Sequence, residues 1–206
     1  NKNDLSSNCL RGKKMDIIVF SGSSRKNSQS SKIAILIKEK LKLLKTNPDI
    51  IDLNKTKFPI WEEDEDNKAS KHKILASQYS DKVNQAMGFV FIVPEWNGMV
   101  PPQVKNLFFI FSNKHFAHKP GLIISISDAN GGAYPIAELR SFSYKNKKIC
   151  WIPEHIIIRK VTEFNPDKDL RLVSRIDYSC RIFIDYAKAL INVRKSADYD
   201  NFNNGM

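Results

Sequence analysis

The sequence predicts an α/β protein, a three-layer α/β/α sandwich built on a five-stranded parallel sheet. Three observations lead there. Five short apolar runs lack the in-and-out alternation of a half-exposed strand, as expected when helices cover both faces of a sheet. Each run is followed by a segment of helical periodicity, so the order is βαβαβαβαβα, and such alternation demands right-handed crossovers. Finally, three loops with unusual chemistry, 21–31, 94–101 and 127–132, leave the carboxyl ends of strands. Doubly wound sheets bind ligands beyond those ends, near the point where strand order reverses.

Met15 opens the first strand, which runs to Phe20. After the serine-rich loop, Ile33, Ala34, Leu36, Ile37, Leu41 and Leu44 recur at helical spacing up to the stop signal Asn47-Pro48. Asp49 to Leu53 is a short second strand. Phe58-Pro59-Ile60-Trp61 leads into the acidic run Glu62 to Asp66, read as a solvated loop or helix start. Ser70 to Met87 forms a helix with Ile74, Leu75, Tyr79, Val83 and Ala86 inward, and Phe89 to Val93 is the most strongly buried strand. Pro101 to Phe111 is a helix with proline in its first turn, where the missing N–H is no loss. Gly121 to Ile126 is the fourth strand, Tyr134 to Tyr144 a helix, and Ile149 to Ile152 the fifth strand. Asp167 to Val193 carries a long amphipathic helix, with Leu170, Val173, Ile176, Ile182, Phe183 and Leu190 on one side. The expected organisation is a flexible N-terminal extension over 1–14, one domain over 15–195 and a polar tail over 196–206.

The totals narrow the function classes. At 206 residues, with 42% hydrophobic and 27% charged, the chain is long enough to bury one core without staples. No apolar run approaches the roughly 20 residues of a membrane span, and the first residues lack a signal-peptide core, so a cytoplasmic protein with no membrane partner is expected. Cys9, Cys150 and Cys180 show neither disulfide nor metal spacing, and the latter two read as small core residues. His72, His115, His118 and His155 are dispersed, so no metal site is expected. The net charge of +11 raises nucleic acid as a partner. The lysines are scattered, however, without aromatic interleaving or a binding motif, and a basic surface also suits small anions, so no nucleic-acid partner is expected.

The loops carry the chemistry. Ser23, Arg25, Ser28, Gln29 and Ser30 lie between the first strand and the first long helix. A helix N-terminus presents unpaired N–H groups and about half a unit of positive charge, which favours a dianion. Serine hydroxyls add donors on short side chains, and arginine adds charge and a fork of donors. Capping explains one or two of these serines but not their density beside Arg25. Neither GxxxxGK[ST] nor GxGxxG is present, so a mononucleotide phosphate is the better reading. Pro94-Glu95-Trp96-Asn97-Gly98 must form an irregular turn, which either covers the core or offers backbone groups to the polar edge of a planar heterocycle, with Trp96 as an apolar wall. Asn130-Gly131-Gly132 permits close backbone approach.

These segments resemble a known family. GSSRKNSQSSKIA is similar to the GSLRxxSxNxxLA phosphate loop of the flavodoxin-like NADPH-dependent FMN reductases. PEWNGMVPPQVKN resembles their PEYNxxxPxxLKN segment, PGLIISISDANGGAYPIAELR their glycine-rich region, and FPIWEEDED their LPLYDED stretch. Trp96 stands where the family has tyrosine, and Gln29 and Ser30 where an aromatic residue and asparagine are common. The resemblance spans residues 15 to 160 and implies a flavodoxin-like sheet of order 2-1-3-4-5. It implies that Ser23, Arg25, Ser28, Gln29 and Ser30 hold the FMN phosphate. Pro94, Glu95, Trp96, Asn97 and Gly98 would line the isoalloxazine ring, and Ser127, Gly131 and Gly132 would close its far side.

The activity so implied passes electrons from NADPH or NADH through FMN to a quinone, azo compound, flavin or metal ion. Because the cofactor carries that chemistry, no catalytic acid, base or nucleophile is assigned. A carrier or redox-regulatory protein that binds FMN without turning over NAD(P)H is the alternative, and the basic charge favours the reductase. The resemblance also implies a homodimer or homotetramer, with Trp61 and Phe116 as exposed aromatics available for the contact.

Overall fold

The computed structural model describes residues 14–63, 70–198 and 201–202. Most of the extension over 1–14, the end of the acidic run and most of the last residues therefore lie outside the described residues. Among the described residues eleven elements follow one another: β1 (Asp16–Ser21), α1 (Gln29–Leu43), β2 (Asn47–Asp52), α2 (Lys71–Gln85), β3 (Gly88–Pro94), α3 (Pro102–Ile110), α4 (Asn113–Phe116), β4 (Pro120–Ile126), α5 (Tyr134–Phe142), β5 (Cys150–Ile158) and α6 (Leu170–Ser196). The strands pair in parallel in the order β2-β1-β3-β4-β5, as expected. Strand order thus reverses between β1 and β3, whose register pairs Phe20 with Phe91 and Ser21 with Ile92.

Two cores sandwich the sheet, and the period-2 geometry of the strands sorts residues between them. Ile17, Val19, Val90 and Ile92 point to the face covered by α1 and α6, against Ile33, Ile37, Leu41, Cys180 and Phe183. Ile18, Phe20, Phe89, Phe91 and Val93 point to the face covered by α2, α3, α4 and α5. Cys180 is a buried core residue, and burial pushes its thiol up to about 12, which leaves it unreactive. Cys150 is half-buried at the start of β5. Among the described residues no helix is long and apolar enough to cross a membrane, and no group of three His, Cys, Asp or Glu side chains is placed to hold a metal.

Several sequence expectations need correction. The fifth strand does not stop at Ile152 but continues through Pro153 to Ile158. β5 pairs only with β4, and an edge strand tolerates a proline because its missing N–H has no neighbour to serve. For the same reason Pro48, read as a helix stop, sits inside β2 on the opposite edge. Ile74 and Leu170 are exposed rather than inward-facing. Phe116 is not an exposed aromatic at all. A short helix after α3, unforeseen in the sequence, turns its ring inward against Phe89, Phe91, Phe108 and Phe111.

One buried cation stands at the amino end of β4. Lys119 is only 5% exposed, and its Nζ donates to the carbonyls of Val83 and Asn84 in the last turn of α2. Burial, with Arg194 adding repulsion, brings its pKa down from 10.5 to about 7. Between those values the unfolded chain holds a proton that the folded chain does not, so folding stability rises with pH across that window. Urea unfolding is expected to show a gain on the order of a kcal/mol or more from pH 7 to 8.5. Lys119→Met should flatten that rise, and an unchanged slope would remove Lys119 as its source.

Candidate functional site

A cleft of about 550 Å³ opens at the carboxyl ends of β1 and β3, where strand order reverses. Its floor is the β1–α1 loop. Ser28 caps α1, its Oγ accepting the N–H of Ser31 at 3.2 Å, while the Ser28 carbonyl accepts the N–H of Lys32. Gln29 and Ser30 are the first two helical residues, so their N–H groups have no acceptor within the helix. Both residues line the cleft. Ser30 is 1% exposed, and among the described residues its hydroxyl has no hydrogen-bond partner. Ser31 plays another part: its hydroxyl donates to Asp52 at the end of β2 at 2.9 Å, which pins the first turn of the helix to the sheet. The loop can pass this close to the sheet because residue 22 is glycine. A Cβ there would meet the Ile92 carbonyl oxygen at 2.7 Å and Val104 at 2.8 Å.

The second wall is a tight hairpin. Trp96 and Met99 exchange both backbone hydrogen bonds, at 3.1 and 2.9 Å, around Asn97 and Gly98. Those two residues have φ of 50° and 71°, the positive pair of a type I′ turn, for which Asn-Gly is the favoured sequence. Trp96 leans towards the first loop, and the Arg25 guanidinium lies 4.9 Å from its ring centroid. Arginine and indole thus meet across the mouth of the cleft.

The third wall comes from the loop after β4. Ser127 donates its N–H to Ile158, and Val161 donates back to Ser127, so this loop is laced to the end of β5. Of the residues singled out in the sequence, Ser23, Arg25, Ser28, Gln29, Ser30, Pro94, Glu95, Trp96, Asn97 and Ser127 all line the one cleft. Gly98, Gly131 and Gly132 do not: Gly98 faces Tyr134 behind the turn, and the two later glycines pack against Glu95 and Ile157.

The model of one family, described as NADPH-dependent FMN reductase, matches residues 15–162. The chain belongs to the NADPH-dependent FMN reductase family. It is therefore an FMN-using, NAD(P)H-dependent oxidoreductase. No curated protein matches the sequence. Among solved structures, the chain is similar to the flavoenzyme NAD(P)H:(acceptor) oxidoreductase FerB of Paracoccus denitrificans, with TM-score 0.69 and 18% identity over 85% of this chain and 98% of that one. An oxidoreductase of Corynebacterium diphtheriae has TM-score 0.64 and 15% identity, covering 87% and 98% of the two chains. An NAD(P)H:quinone oxidoreductase of Methanothermobacter marburgensis has TM-score 0.57 and 12% identity, covering 90% and 100%. At these identities the likeness shows the flavodoxin-like fold.

The reductase's cleft fits a flavin mononucleotide on its own geometry. An orphaned hydroxyl on Ser30 and two first-turn amides without acceptors lie at one end, as a terminal phosphate requires, and Arg25 stands at the mouth against Trp96. The other end offers an aromatic wall and a polar backbone turn. Val161 and Thr162 of the reductase also line the cleft and were missed in the sequence. Pro153 masked the continuation of β5, and with it the fact that β5 delivers its own loop to the same edge of the sheet. Ile126, Asp128, Lys26 and Asn27 were missed as neighbours of residues already chosen.

Proposed function

We propose that this cleft seats FMN with its phosphate on the first turn of α1 and its ring between the Trp96 hairpin and the Ser127 loop. On this reading the reductase passes electrons from NADPH or NADH to a quinone, azo compound, flavin or metal-ion acceptor. The observation that carries it is the buried, unpartnered Ser30 hydroxyl beside the open helix terminus at the switch point of the sheet. The bound flavin supplies hydride and single-electron chemistry. The chain's own residues bind and orient. Ser30 and the amides of Gln29 and Ser30 donate to the phosphate, Arg25 neutralises it, and the 94–97 backbone faces the polar edge of the ring. Ser23, whose Oγ accepts the Arg25 N–H at 3.2 Å, shapes the loop that carries Arg25. Trp96 and Ile126 exclude water from the ring.

A cytoplasmic homodimer or homotetramer belongs to the same reading. The exposed, stacked pair Trp61 and Phe109, with centroids 5.5 Å apart, offers the apolar contact that buried Phe116 does not. The test is an absorbance spectrum of the purified protein with FMN, followed by NADPH oxidation in the presence of a quinone. A yellow, NADPH-bleached protein that reduces the quinone is the expected result. FMN binding without NADPH oxidation would replace the reductase reading with that of an electron carrier, and a protein that ignores FMN would end both.

A further inference from the structure

Glu95 stands at the carboxyl end of β3, yet its side chain is aimed at the loop after β4. Its Oε2 accepts the N–H of Gly132 at 2.6 Å. A Cβ on Gly131 would lie 2.5 Å from its Oε1 and 3.1 Å from its Cδ. Gly132 has φ of +104°, a backbone conformation reserved in practice for glycine, and a Cβ there would strike Ile157 at 2.5 Å. Two adjacent glycines therefore have two separate causes. One leaves space for a carboxylate, and the other turns the backbone so that its N–H points at the same carboxylate.

The rest of the 127–132 loop is tied elsewhere. Ser127 donates its N–H to Ile158 and accepts that of Val161, which fixes the loop's start to the end of β5, Lys160 donates to Ala129, and Arg159 Nε donates to the Asn130 carbonyl at 2.7 Å. All of those tethers run away from β3. The Glu95 carboxylate crosses in the other direction, from the Trp96 hairpin to the end of the loop. Its own backbone is held too, since Glu95 donates its N–H to the Ile126 carbonyl at 3.0 Å.

We propose that Glu95 is a positioning residue whose carboxylate clasps the 127–132 loop to the Trp96 hairpin and so sets the width of the cleft, with Gly131-Gly132 as the seat built for that carboxylate. This rests on the reading of the cleft as the FMN site. It separates the roles within two motifs: the backbone of 94–97 and Ser127 face the cofactor, while the Glu95 side chain and the paired glycines hold those walls apart at a fixed distance.

The test uses the full chain, with FMN affinity read by fluorescence quenching and the exchange of the Gly132 amide read in the FMN-free protein. Glu95→Ala is expected to weaken FMN about tenfold and to speed Gly132 exchange, since a charge-assisted hydrogen bond is lost. Glu95→Gln keeps an acceptor oxygen of the same reach and should stay within about threefold of the parent. Gly131→Ala pushes the carboxylate out and should match Glu95→Ala. The double variant Glu95→Ala/Gly131→Ala should bind FMN about as well as Glu95→Ala alone, because the closest collision partner is gone and the Ser127 hydroxyl, 3.2 Å from the added Cβ, need give only by a few tenths of an ångström. Additive losses in the double variant, a Gln variant as weak as the Ala variant, or unchanged Gly132 exchange in Glu95→Ala would each overturn the clasp. If the parent protein ignores FMN, the cofactor reading falls, and Gly132 exchange alone still decides the clasp.

Discussion

Arg25→Ala is expected to weaken FMN binding by roughly ten- to a hundredfold, the loss of about 1.5–3 kcal/mol typical of a hydrogen bond to a charged group. Arg25 is exposed, and among the described residues its guanidinium rests on Trp96 rather than in an ion pair. Removing it leaves no buried partner stranded, so the unfolding midpoint of the cofactor-free protein should hardly move. The loss should shrink at high salt, because solvent-exposed charge is screened. Arg25→Lys keeps the charge but loses both the planar stack on Trp96 and the paired donors, and should fall between the parent and the alanine variant. FMN titrations at low and high salt measure all three. An affinity unchanged in Arg25→Ala would take the guanidinium out of the phosphate seat and leave the work to the α1 terminus and Ser30.

The largest stability loss should come from Phe116→Ala. The ring is fully buried, lies 4.9 Å from Phe89 and 5.4 Å from Phe108 between centroids, and meets Phe89 and Phe111 edge-on. Truncating a buried phenylalanine costs about 3–5 kcal/mol when the neighbours cannot close the cavity. Here the neighbours are a β3 strand fixed by pairing on both sides and the packed helix α3, so little collapse is available. For a chain of this size the melting temperature should fall by about 10 °C. Since the cluster lies behind β3, away from the cleft, FMN affinity at low temperature should be nearly unchanged. A thermal shift of a degree or two would mean that Phe116 is peripheral after all.

Phe116 also shows where the sequence was hard to read. Asn113–Phe116 is a single turn of helix, too short to display a period, and a phenylalanine followed by Ala-His-Lys looks like a surface loop. The five strands and the long helices were legible because each carries enough residues for periodicity to separate core from surface. The phosphate loop and the Trp96 hairpin were legible because they need residue types with local causes: a serine cap, an arginine, an Asn-Gly pair with positive φ. The end of β5 was not. Proline normally argues against a strand, and only the tertiary fact that β5 lies at the edge makes Pro153 harmless and brings Val161 and Thr162 to the cleft. The division of labour at Gly131 and Gly132 was likewise hidden, because it depends on a carboxylate 36 and 37 positions earlier reaching across space.

The two prolines at the sheet margins have a joint consequence. Pro48 sits in β2 and Pro153 in β5, so each outermost ladder lacks a donor at one point along its unpaired side. A parallel sheet with bare margins invites neighbouring molecules to add strands and grow into fibrils. Both margins of this one carry a built-in interruption, so strand addition from a neighbouring molecule meets a missing donor at either end.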